Sequence, residues 1–321
     1  MRDYWEWARV HAKGKPEPLP KKFTQLVKNH HEANFKLVNP LPCITMEKMD
    51  GLCGLLVRYN GNTALFSRTG LMFKNTEHLV HMVNLNLPTG SYDNFVVCVE
   101  LCNDELELEE IGSVFNPNRV NPVDWTAKSM NAFYLSCYDL LTFDEFVNGR
   151  STLQYKDRLK SLVKSQFSKF MYVPRHNVCY SESDVKTLAD SVINNGGEGV
   201  VRCIPEAPWV AGHKGIYKTK IVCGVDYDLE VIDIELGKAG TKRDGVMTNV
   251  VVRWRNWKTG ELTTMSIDGC FTDQQRIEFA NDESLIIGKI VHIHALKLGS
   301  KGALRIPKVK AIRIDKEEAD L

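Results

Sequence analysis

The stretch that most constrains the fold follows Val222, where short segments rich in β-branched and aromatic residues succeed one another. The segments with strand-like patterns are residues 228–236, 246–255, 262–267 and 289–296, and one helical pattern covers residues 273–280. Strands of this number and spacing fit a small Greek-key barrel of the oligonucleotide-binding (OB) type. We therefore expect residues 224–321 to form an OB-fold β-barrel domain.

The residues before this boundary mix helical and strand patterns, and a chain of 321 residues exceeds the roughly 250 residues of a typical single core. A hairpin is predicted around Asn60-Gly61-Asn62, with further strands at residues 95–101, 133–141 and 198–203. Helices are predicted at residues 153–167 and 183–194, the second capped by Ser183, and residues 1–40 suggest a short helix, a proline-broken loop and a second helix. These patterns predict an α+β domain of antiparallel sheets with flanking helices over residues 1–223.

Composition narrows the class of protein. Apolar stretches are short and broken by charge, so neither a membrane span nor a secretory signal is expected. The nine cysteines include no Cys-x-x-Cys pair, which favours reduced thiols in the cytoplasm, or the host cytoplasm for a viral protein, and argues against a zinc module. A net charge of +1 does not indicate a nucleic-acid partner, but residues 13–36 and 297–316 are locally basic.

Four separated elements suggest one nucleotide site built around a nucleophilic lysine. Lys48 lies within Glu47-Lys48-Met49-Asp50-Gly51, and Ser67–Gly70, Glu198–Val201 and Tyr217–Lys220 follow it at wide intervals. Lysine attacks phosphorus only when unprotonated, so a site of this kind must lower a pKa that is ordinarily about 10.4. We expect two cations of the last element, Lys218 and Lys220, together with a bound metal, to lower the pKa of Lys48.

The C-terminal run decides among the enzymes that use such a lysine. It reads Leu304-Arg305-Ile306-Pro307-Lys308 and closes on Arg313-Ile314-Asp315-Lys316. With the elements above, this run resembles the ATP-dependent DNA ligases of the covalent nucleotidyltransferase superfamily, over about residues 47–316. Because no large domain precedes Lys48, the resemblance is to the compact, bacteriophage-type ligases with an adenylation domain and an OB-fold domain.

The resemblance implies a role for each matching residue. Lys48 would be the nucleophile that carries AMP, and Mg²⁺ would be held by Glu198 and Glu100, of which Glu100 ends the strand at residues 95–99. The residues implied to bind ATP are Glu47, Lys48, Met49, Asp50, Gly51, Arg68, Glu100, Tyr138, Lys218 and Lys220. Those implied to approach the β- and γ-phosphates when the domains close are Arg305, Lys308 and Arg313.

The partner implied by the resemblance is nicked duplex DNA. AMP would pass from Lys48 to the 5′-phosphate of a nick, and the adjacent 3′-hydroxyl would then attack and release AMP. Contacts to the DNA backbone should dominate affinity, and the loop at residues 237–245 offers Lys238, Lys242 and Arg243 for them. No exposed apolar seam stands out, so we expect a monomer.

One departure from the family pattern keeps alternatives open. DNA ligases and capping enzymes usually carry an arginine five residues after the nucleophile, where this sequence has Cys53. RNA ligases often lack that arginine, so an ATP-dependent RNA ligase is the main alternative, and a capping guanylyltransferase is a weaker one. The non-enzymatic alternative is an OB-fold nucleic-acid-binding protein whose lysine site has decayed.

Histidines could also suggest a metal site. His292 and His294 lie on one face of a predicted strand, but no third ligand is near in sequence. We therefore predict ordinary histidines.

Overall fold

A computed structural model of the protein describes residues 1–12, 23–30, 40–86, 93–106, 108–118, 132–165, 170–299 and 301–320. The chain divides into two compact units, Met1–Val222 (unit 1) and Cys223–Leu321 (unit 2). Both units combine β-sheets with a few helices. None of the helices in the described ranges is both long and apolar enough to cross a membrane.

The helices in these ranges are short. They are α1 (Tyr4–His11), α2 (Glu77–Asn86), α3 (Leu108–Phe115), α4 (Phe143–Val147), α5 (Tyr155–Lys164) and α6 (Glu182–Asn194) in unit 1, and α7 (Asp273–Asn281) with a 3₁₀ turn (Glu283–Leu285) in unit 2.

The strands of unit 1 are β1 (Leu26–Asn29), β2 (Cys43–Glu47), β3 (Leu52–Tyr59), β4 (Asn62–Ser67), β5 (Phe95–Asn103), β6 (Phe133–Thr142), β7 (Arg150–Ser151), β8 (Met171–Tyr172), β9 (His176–Cys179), β10 (Gly199–Cys203), β11 (Trp209–Val210) and β12 (Lys214–Val222). Those of unit 2 are β13 (Val225–Leu236), β14 (Met247–Arg255), β15 (Leu262–Ile267), β16 (Ile290–Ala295), β17 (Lys297–Leu298), β18 (Leu304–Arg305) and β19 (Lys308–Arg313).

Unit 1 contains two five-stranded sheets. One has the order β4-β3-β5-β6-β8 and the other the order β1-β12-β10-β2-β9. The predicted hairpin β3–β4 forms the edge of the first sheet, and its turn places Asn60 and Gly61 at φ 48° and 75°, as a two-residue hairpin turn requires. The apolar faces of the first sheet bury two clusters of side chains, one of which includes Tyr4 and Trp7 of α1.

Unit 2 is built on one five-stranded antiparallel sheet with the order β15-β14-β13-β16-β19. The long strand β13 pairs with β16 through its first half and with β14 through its second half. An apolar cluster forms the core of this unit, and α7 contributes Phe279 to it. The four strand segments and the helix expected after Val222 are all present.

The second helix predicted within residues 1–40 is absent from residues 23–30, where β1 pairs in parallel with β12; residues 13–22 and 31–39 lie outside the described ranges. Two other local predictions were wrong. The cap of α6 is Ser181, not Ser183, because the hydroxyl of Ser181 accepts from the amide of Asp184 and the Asp184 carboxylate accepts in return. Glu100 is internal to β5, which continues to Asn103.

Candidate active site

A cavity of about 270 Å³ in unit 1 is lined by residues from both five-stranded sheets. It contains most of the residues to which the sequence assigned nucleotide binding. Its lining consists of Thr24, Gln25, Leu26, Val27, Met46, Glu47, Lys48, Met49, Cys53, Arg68, Glu100, Ser136, Tyr138, Tyr155, Pro174, Val201, Cys203, Lys218 and Lys220.

Lys48 lies in the loop between β2 and β3, and two contacts fix it beside the start of β10. Its backbone amide donates to the carbonyl of Gly199 at 2.8 Å, and its Nζ lies 2.5 Å from Oε2 of Glu198. Gly51 lets this loop pack against β5, because a Cβ at that position would lie 2.5 Å from the carbonyl oxygen of Leu101. The nucleophile candidate and the metal-ligand candidate are therefore direct partners, although 150 residues separate them.

The pKa of Lys48 is raised in this structure, which corrects the prediction of a lowered one. Burial, the largest influence, lowers the pKa, but the carboxylates of Glu198, Glu100 and Asp50 together outweigh it. The expected neighbouring cations do not control this amine, because carboxylates surround it and Lys218 has a carboxylate partner of its own.

The pKa of Glu100 is also raised, but here burial is the cause. Burial raises its pKa to about 8, and the carboxylates of Glu198 and Asp50 add to the rise against the opposing effect of Lys48. At neutral pH this carboxyl therefore holds a proton for much of the time. A cation entering the site would favour its ionised form.

A row of three cross-strand neighbours forms one wall of the cavity. Cys53 on β3 lies opposite Glu100 on β5, which lies opposite Ser136 on β6. The Cys53 thiol, found where the family usually has arginine, lies 3.4 Å from the hydroxyl of Tyr138. Burial raises the pKa of Cys53 to about 11, so this position supplies a neutral thiol and no charge.

The register of β6 against β5 shifts at this wall. Cys98 pairs with Asp139 and Val99 pairs with Cys137, so the bulge leaves Tyr138 without a partner on β5. Bulges of this kind commonly re-aim a side chain at a functional site. Here the bulge occurs where Tyr138 lines the cavity while Asp139 is fully buried.

Asp139, which the sequence analysis did not select, forms the centre of a buried ion network that we call the Asp139 network: Asp139, Arg158 and Lys218. The guanidinium of Arg158 donates to both Asp139 oxygens, at 2.8 and 3.1 Å, and Lys218 Nζ donates to Oδ2 at 2.9 Å. All three side chains are at most 5% exposed. Burial acts against all three charges, yet their mutual attraction lowers the pKa of Asp139 and raises the pKa values of Arg158 and Lys218.

The Asp139 network carries one more positive than negative charge, and its lysine reaches the cavity. Lys218 Nζ lies 4.4 Å from the ring centre of Tyr155 and 5.6 Å from that of Tyr138, and all three residues line the cavity. Aromatic faces stabilise a cation at such distances. The arrangement therefore offers an anion a fixed, partly desolvated positive charge.

A signal for this network was present in the sequence. Asp139 interrupts an apolar strand pattern, and a charged residue on a buried face is almost always paired. Its partner Arg158 lies on the buried face of α5, together with Tyr155, Leu159 and Leu162. The sequence does not reveal that these two positions meet.

Other predicted ATP-binding residues surround this centre. Glu47 ends β2, Arg68 is exposed in the turn after β4, and Lys220 pairs with Val201 across β12 and β10. Met49 Sδ receives a hydrogen bond from the Tyr172 hydroxyl at 3.8 Å. All four of these predicted residues, Glu47, Met49, Arg68 and Lys220, line the cavity. The contact of Tyr172 with Met49 was not predicted from the sequence.

The residues implied to act on the β- and γ-phosphates lie in unit 2. Arg305 on β18 is only 5% exposed, and Lys308 Nζ lies 3.4 Å from Oδ2 of Asp268. Between them, Ile306 has φ 50°, a backbone conformation that is strained for a β-branched residue. Arg313, at the end of β19, contacts Asp228 and Asp315.

The predicted DNA-binding residues Lys238, Lys242 and Arg243 are exposed in the loop after β13. The loop is closed by a bridge between Gly237 and Asp244. Its three cations are therefore presented to solvent on one compact turn.

The histidines of β16 contact aspartates. His292 Nδ1 lies 3.0 Å from Asp228 Oδ1, and His294 Nδ1 lies 2.9 Å from Asp226 Oδ1. Across the part of the chain that the structure describes, no group of three or more His, Cys, Asp or Glu side chains is arranged to hold a metal ion. All nine cysteines are free thiols.

Comparison with known families gives one match to a family model. Residues 23–220 match the model described as ATP dependent DNA ligase domain, which covers more than half of the chain. No curated protein matches the sequence significantly.

Several solved structures share the fold at low sequence identity. One named Pmar-Lig_Pre. is 20% identical with a TM-score of 0.74, over 92% of this chain and 69% of that one. A Lig E DNA ligase, described as binding DNA with a minimal scaffold, is 17% identical with a TM-score of 0.66, over 90% and 98%. The ATP-dependent DNA ligase from bacteriophage T7 in complex with ATP is 16% identical with a TM-score of 0.52, over 89% and 97%.

Proposed function

The chain belongs to the ATP-dependent DNA ligase family, and from that premise we propose that Lys48 carries AMP during the sealing of 5′-phosphate/3′-hydroxyl nicks in duplex DNA. The observation that carries the proposal is the convergence of Lys48, Glu100 and Lys218 on one cavity of about 270 Å³. That volume is near the lower end of the roughly 300–1,000 Å³ of small-molecule sites.

In the first step, Lys48 Nζ attacks the α-phosphorus of ATP. A nitrogen–phosphorus bond forms, the bond from the α-phosphorus to the bridging oxygen breaks, and pyrophosphate leaves with the electron pair. The amine must first lose a proton to solvent, because its partner Glu198, whose Oε2 lies 2.5 Å from Nζ, is also the carboxylate that would hold the metal. Lys218 and Lys220 face the developing negative charge from β12, where fixed cations act most strongly on the transition state.

The carboxylates beside Lys48 suit Mg²⁺, which in proteins commonly takes one or two carboxylates and completes its shell with water and substrate phosphates. Glu198 and Glu100 are the residues that would hold it; burial raises the pKa of Glu100 to about 8, and the carboxylates of Glu198 and Asp50 add to the rise. Bound there, Mg²⁺ would neutralise phosphate charge. If a metal engaged Glu198 and Glu100, their attraction for Lys48 would weaken, and burial would act to lower the pKa of the amine.

We assign the remaining predicted ATP-binding residues by the same premise; of these, Asp50 and Gly51 do not line the cavity. Tyr138 stacks on adenine, Arg68 contacts the ribose, and Glu47, Met49, Asp50 and Gly51 shape the loop around Lys48. Support for the role of Tyr138 comes from the bulge at its position and from its place in the lining.

Unit 2 is assigned as an OB-type barrel that serves both the triphosphate and DNA. Lys308 and Arg313 would act on the β- and γ-phosphates, with Arg305, which is buried, supporting the strand that precedes them. Removing residues 304–321 should therefore block adenylation and spare the sealing of pre-adenylated nicks.

Lys238, Lys242 and Arg243 would contact the DNA backbone. Replacing all three by glutamine should reduce the slope of log affinity for nicked DNA against log salt by about 2.7, since each released phosphate contact contributes about 0.9. Fluorescence anisotropy at several salt concentrations measures that slope. Lys156→Gln, in unit 1 and paired with Glu206, is the control that should leave it unchanged.

After loading, AMP passes to the 5′-phosphate of the nick, and the 3′-hydroxyl then displaces it. The partner is thus nicked duplex DNA, in a replication or repair role like that of compact bacteriophage-type ligases. A monomeric state and a cytoplasmic location remain predictions from the sequence.

The test is incubation of the protein and Mg²⁺ with α-labelled ATP or GTP, followed by a chase with nicked duplexes of DNA or RNA. Labelling by ATP that discharges onto nicked DNA is expected. Discharge only onto RNA ends would favour the RNA ligase and account for Cys53, labelling by GTP would favour a capping enzyme, and absence of labelling would contradict the proposal.

A further inference from the structure

The C-terminal basic motif is held by carboxylates that lie outside it. We call this set the Asp228 network: Asp228, Arg313, Lys316 and Asp320. Oδ2 of Asp228 accepts from Arg313 Nη1 at 2.6 Å and from Lys316 Nζ at 3.0 Å. Asp320 Oδ1 accepts from the same Lys316 amine at 2.7 Å.

Both carboxylate oxygens of Asp228 have partners. It lies on β13 directly opposite His292 of β16, whose Nδ1 lies 3.0 Å from its Oδ1, and its side chain is 9% exposed. The attraction of Lys316, His292 and Arg313 outweighs burial and lowers its pKa. The carboxylate is therefore ionised and fixed in direction at neutral pH.

Asp320 ties the residues after the motif to the same strand. Its backbone amide donates to the carbonyl of Asp228 at 2.7 Å, and its Oδ2 accepts from the backbone amide of Asp228 at 2.8 Å. Because Asp320 also holds Lys316, the chain from the motif to residue 320 folds back onto β13. The direction of Lys316 is thereby set from two sides.

The carboxylates leave donors available on both cations. Arginine has five N–H donors, of which Asp315 takes two, at 2.8 Å each, and Asp228 takes one. Lysine has three, of which Asp228 and Asp320 take two. Arg313 and Lys316 are 30% and 31% exposed, so their remaining donors are accessible to a phosphate.

We propose that Asp228 and Asp320 are positioning residues, which hold Arg313 and Lys316 oriented for the triphosphate of ATP during adenylation of the protein. The inference rests on the function proposed above. A side chain held in one direction loses less conformational entropy when it binds, so removing the hold weakens ATP binding in this step. Sealing of a nick that already carries AMP has no triphosphate and should not depend on the hold.

The experiment compares Asp228→Asn, Asp320→Asn and Asp226→Asn in two assays: AMP loading across a range of ATP concentrations, and sealing of a pre-adenylated nick. Asp226 is the matched control, because it lies on the same strand and contacts His292 and His294 but neither Arg313 nor Lys316. We expect Asp228→Asn to raise the KM for ATP in loading about tenfold, as the loss of charge-assisted hydrogen bonds would. Asp320→Asn should raise it by a smaller factor, and sealing should match that of the unsubstituted protein.

The inference is overturned if both variants load AMP with the KM of Asp226→Asn, or if sealing falls in parallel with loading. Thermal unfolding distinguishes a variant that has lost its fold from one that has lost only the orientation of Arg313 and Lys316. If Asp228→Asn unfolds, Asp320→Asn still tests the proposal, because Asp320 is 45% exposed and its replacement should leave the protein folded. Failure of the unsubstituted protein to load AMP would instead overturn the proposed function, and with it this inference.

Discussion

Unit 1 and unit 2 each hold one aspartate between an arginine and a lysine, but the two networks differ in exposure. In the Asp139 network all side chains are at most 5% exposed, whereas Arg313 and Lys316 of the Asp228 network are about 30% exposed. A buried charge that loses its partner cannot recover hydration, while an exposed one can. The Asp139 network therefore stabilises the fold and also fixes a positive charge at the cavity. The Asp228 network orients two side chains and contributes little to the stability of the fold.

The largest expected effect tests this contrast in stability. Asp139→Asn should lower the free energy of unfolding by about 3–5 kcal/mol, because two buried cations lose their carboxylate. Asp228→Asn should cost about 1 kcal/mol or less, because its partners face water. Urea denaturation measures both, and equal costs would break the comparison.

The next effect separates charge from stability within the Asp139 network. Lys218→Met should reduce the rate of AMP loading by about 10²–10³-fold, since a cation fixed at the phosphate is lost. Its stability cost should be smaller than that of Asp139→Asn, because Arg158 still pairs with both oxygens of Asp139. Lys214→Met, at an exposed position of the same strand, is the control, and loading rates that match between the two variants would contradict the assignment.

A third prediction concerns pH and uses two carboxyl groups of unit 1. The pKa of Glu100 is raised to about 8 in the folded protein, so the stabilisation from its bound proton is complete below its unfolded pKa and is lost as pH rises through about 8. The pKa of Asp139 is lowered, so its contribution is present above its unfolded pKa and is lost as pH falls.

Glu100→Gln mimics the protonated form and isolates the first contribution. The stability of the unsubstituted protein relative to Glu100→Gln should fall with rising pH by at most about 1.4 kcal/mol per pH unit, and level off above about pH 8. Thermal or urea unfolding across this range measures the difference. A difference that stays constant with pH would show that Glu100 is ionised throughout.

The smallest effect concerns salt. About 1 M NaCl shortens the Debye length to about 3 Å and screens exposed pairs, so the stability difference caused by Asp228→Asn should shrink by a few tenths of a kcal/mol. The difference caused by Asp139→Asn should persist, because buried pairs are screened much less. Repeating the urea titrations in salt makes this comparison. If salt changed the two stability differences equally, the proposed contrast between an exposed and a buried network would be contradicted.

Contiguous patterns were enough to predict much of this molecule. The hairpin β3–β4 follows from alternating apolar residues around Asn60-Gly61, and the strands after Val222 follow from the same periodicity. The cavity residues were found because short motifs carry them together, as in Glu47–Gly51 and Tyr217–Lys220. Site residues that lie close together in the sequence could therefore be predicted.

Contacts between residues that are distant in the sequence could not be predicted. Arg158 meets Asp139 only because the buried face of α5 packs against β6, and Lys48 meets Glu198 only because β2 pairs with β10. The same limit reversed the expected sign of the pKa shift at Lys48. Cations nearby in the motif list suggested a lowered value, whereas the folded site surrounds the amine with carboxylates.

The central claim is that AMP becomes attached to Lys48, and peptide mass spectrometry after incubation with ATP and Mg²⁺ tests it most directly. We predict one adenylyl group on the peptide that contains Lys48, and none on any peptide of Lys48→Ala, which should remain folded because Lys48 lies in a loop and is 21% exposed. An adenylyl group on another residue, or on Lys48→Ala, would contradict the account.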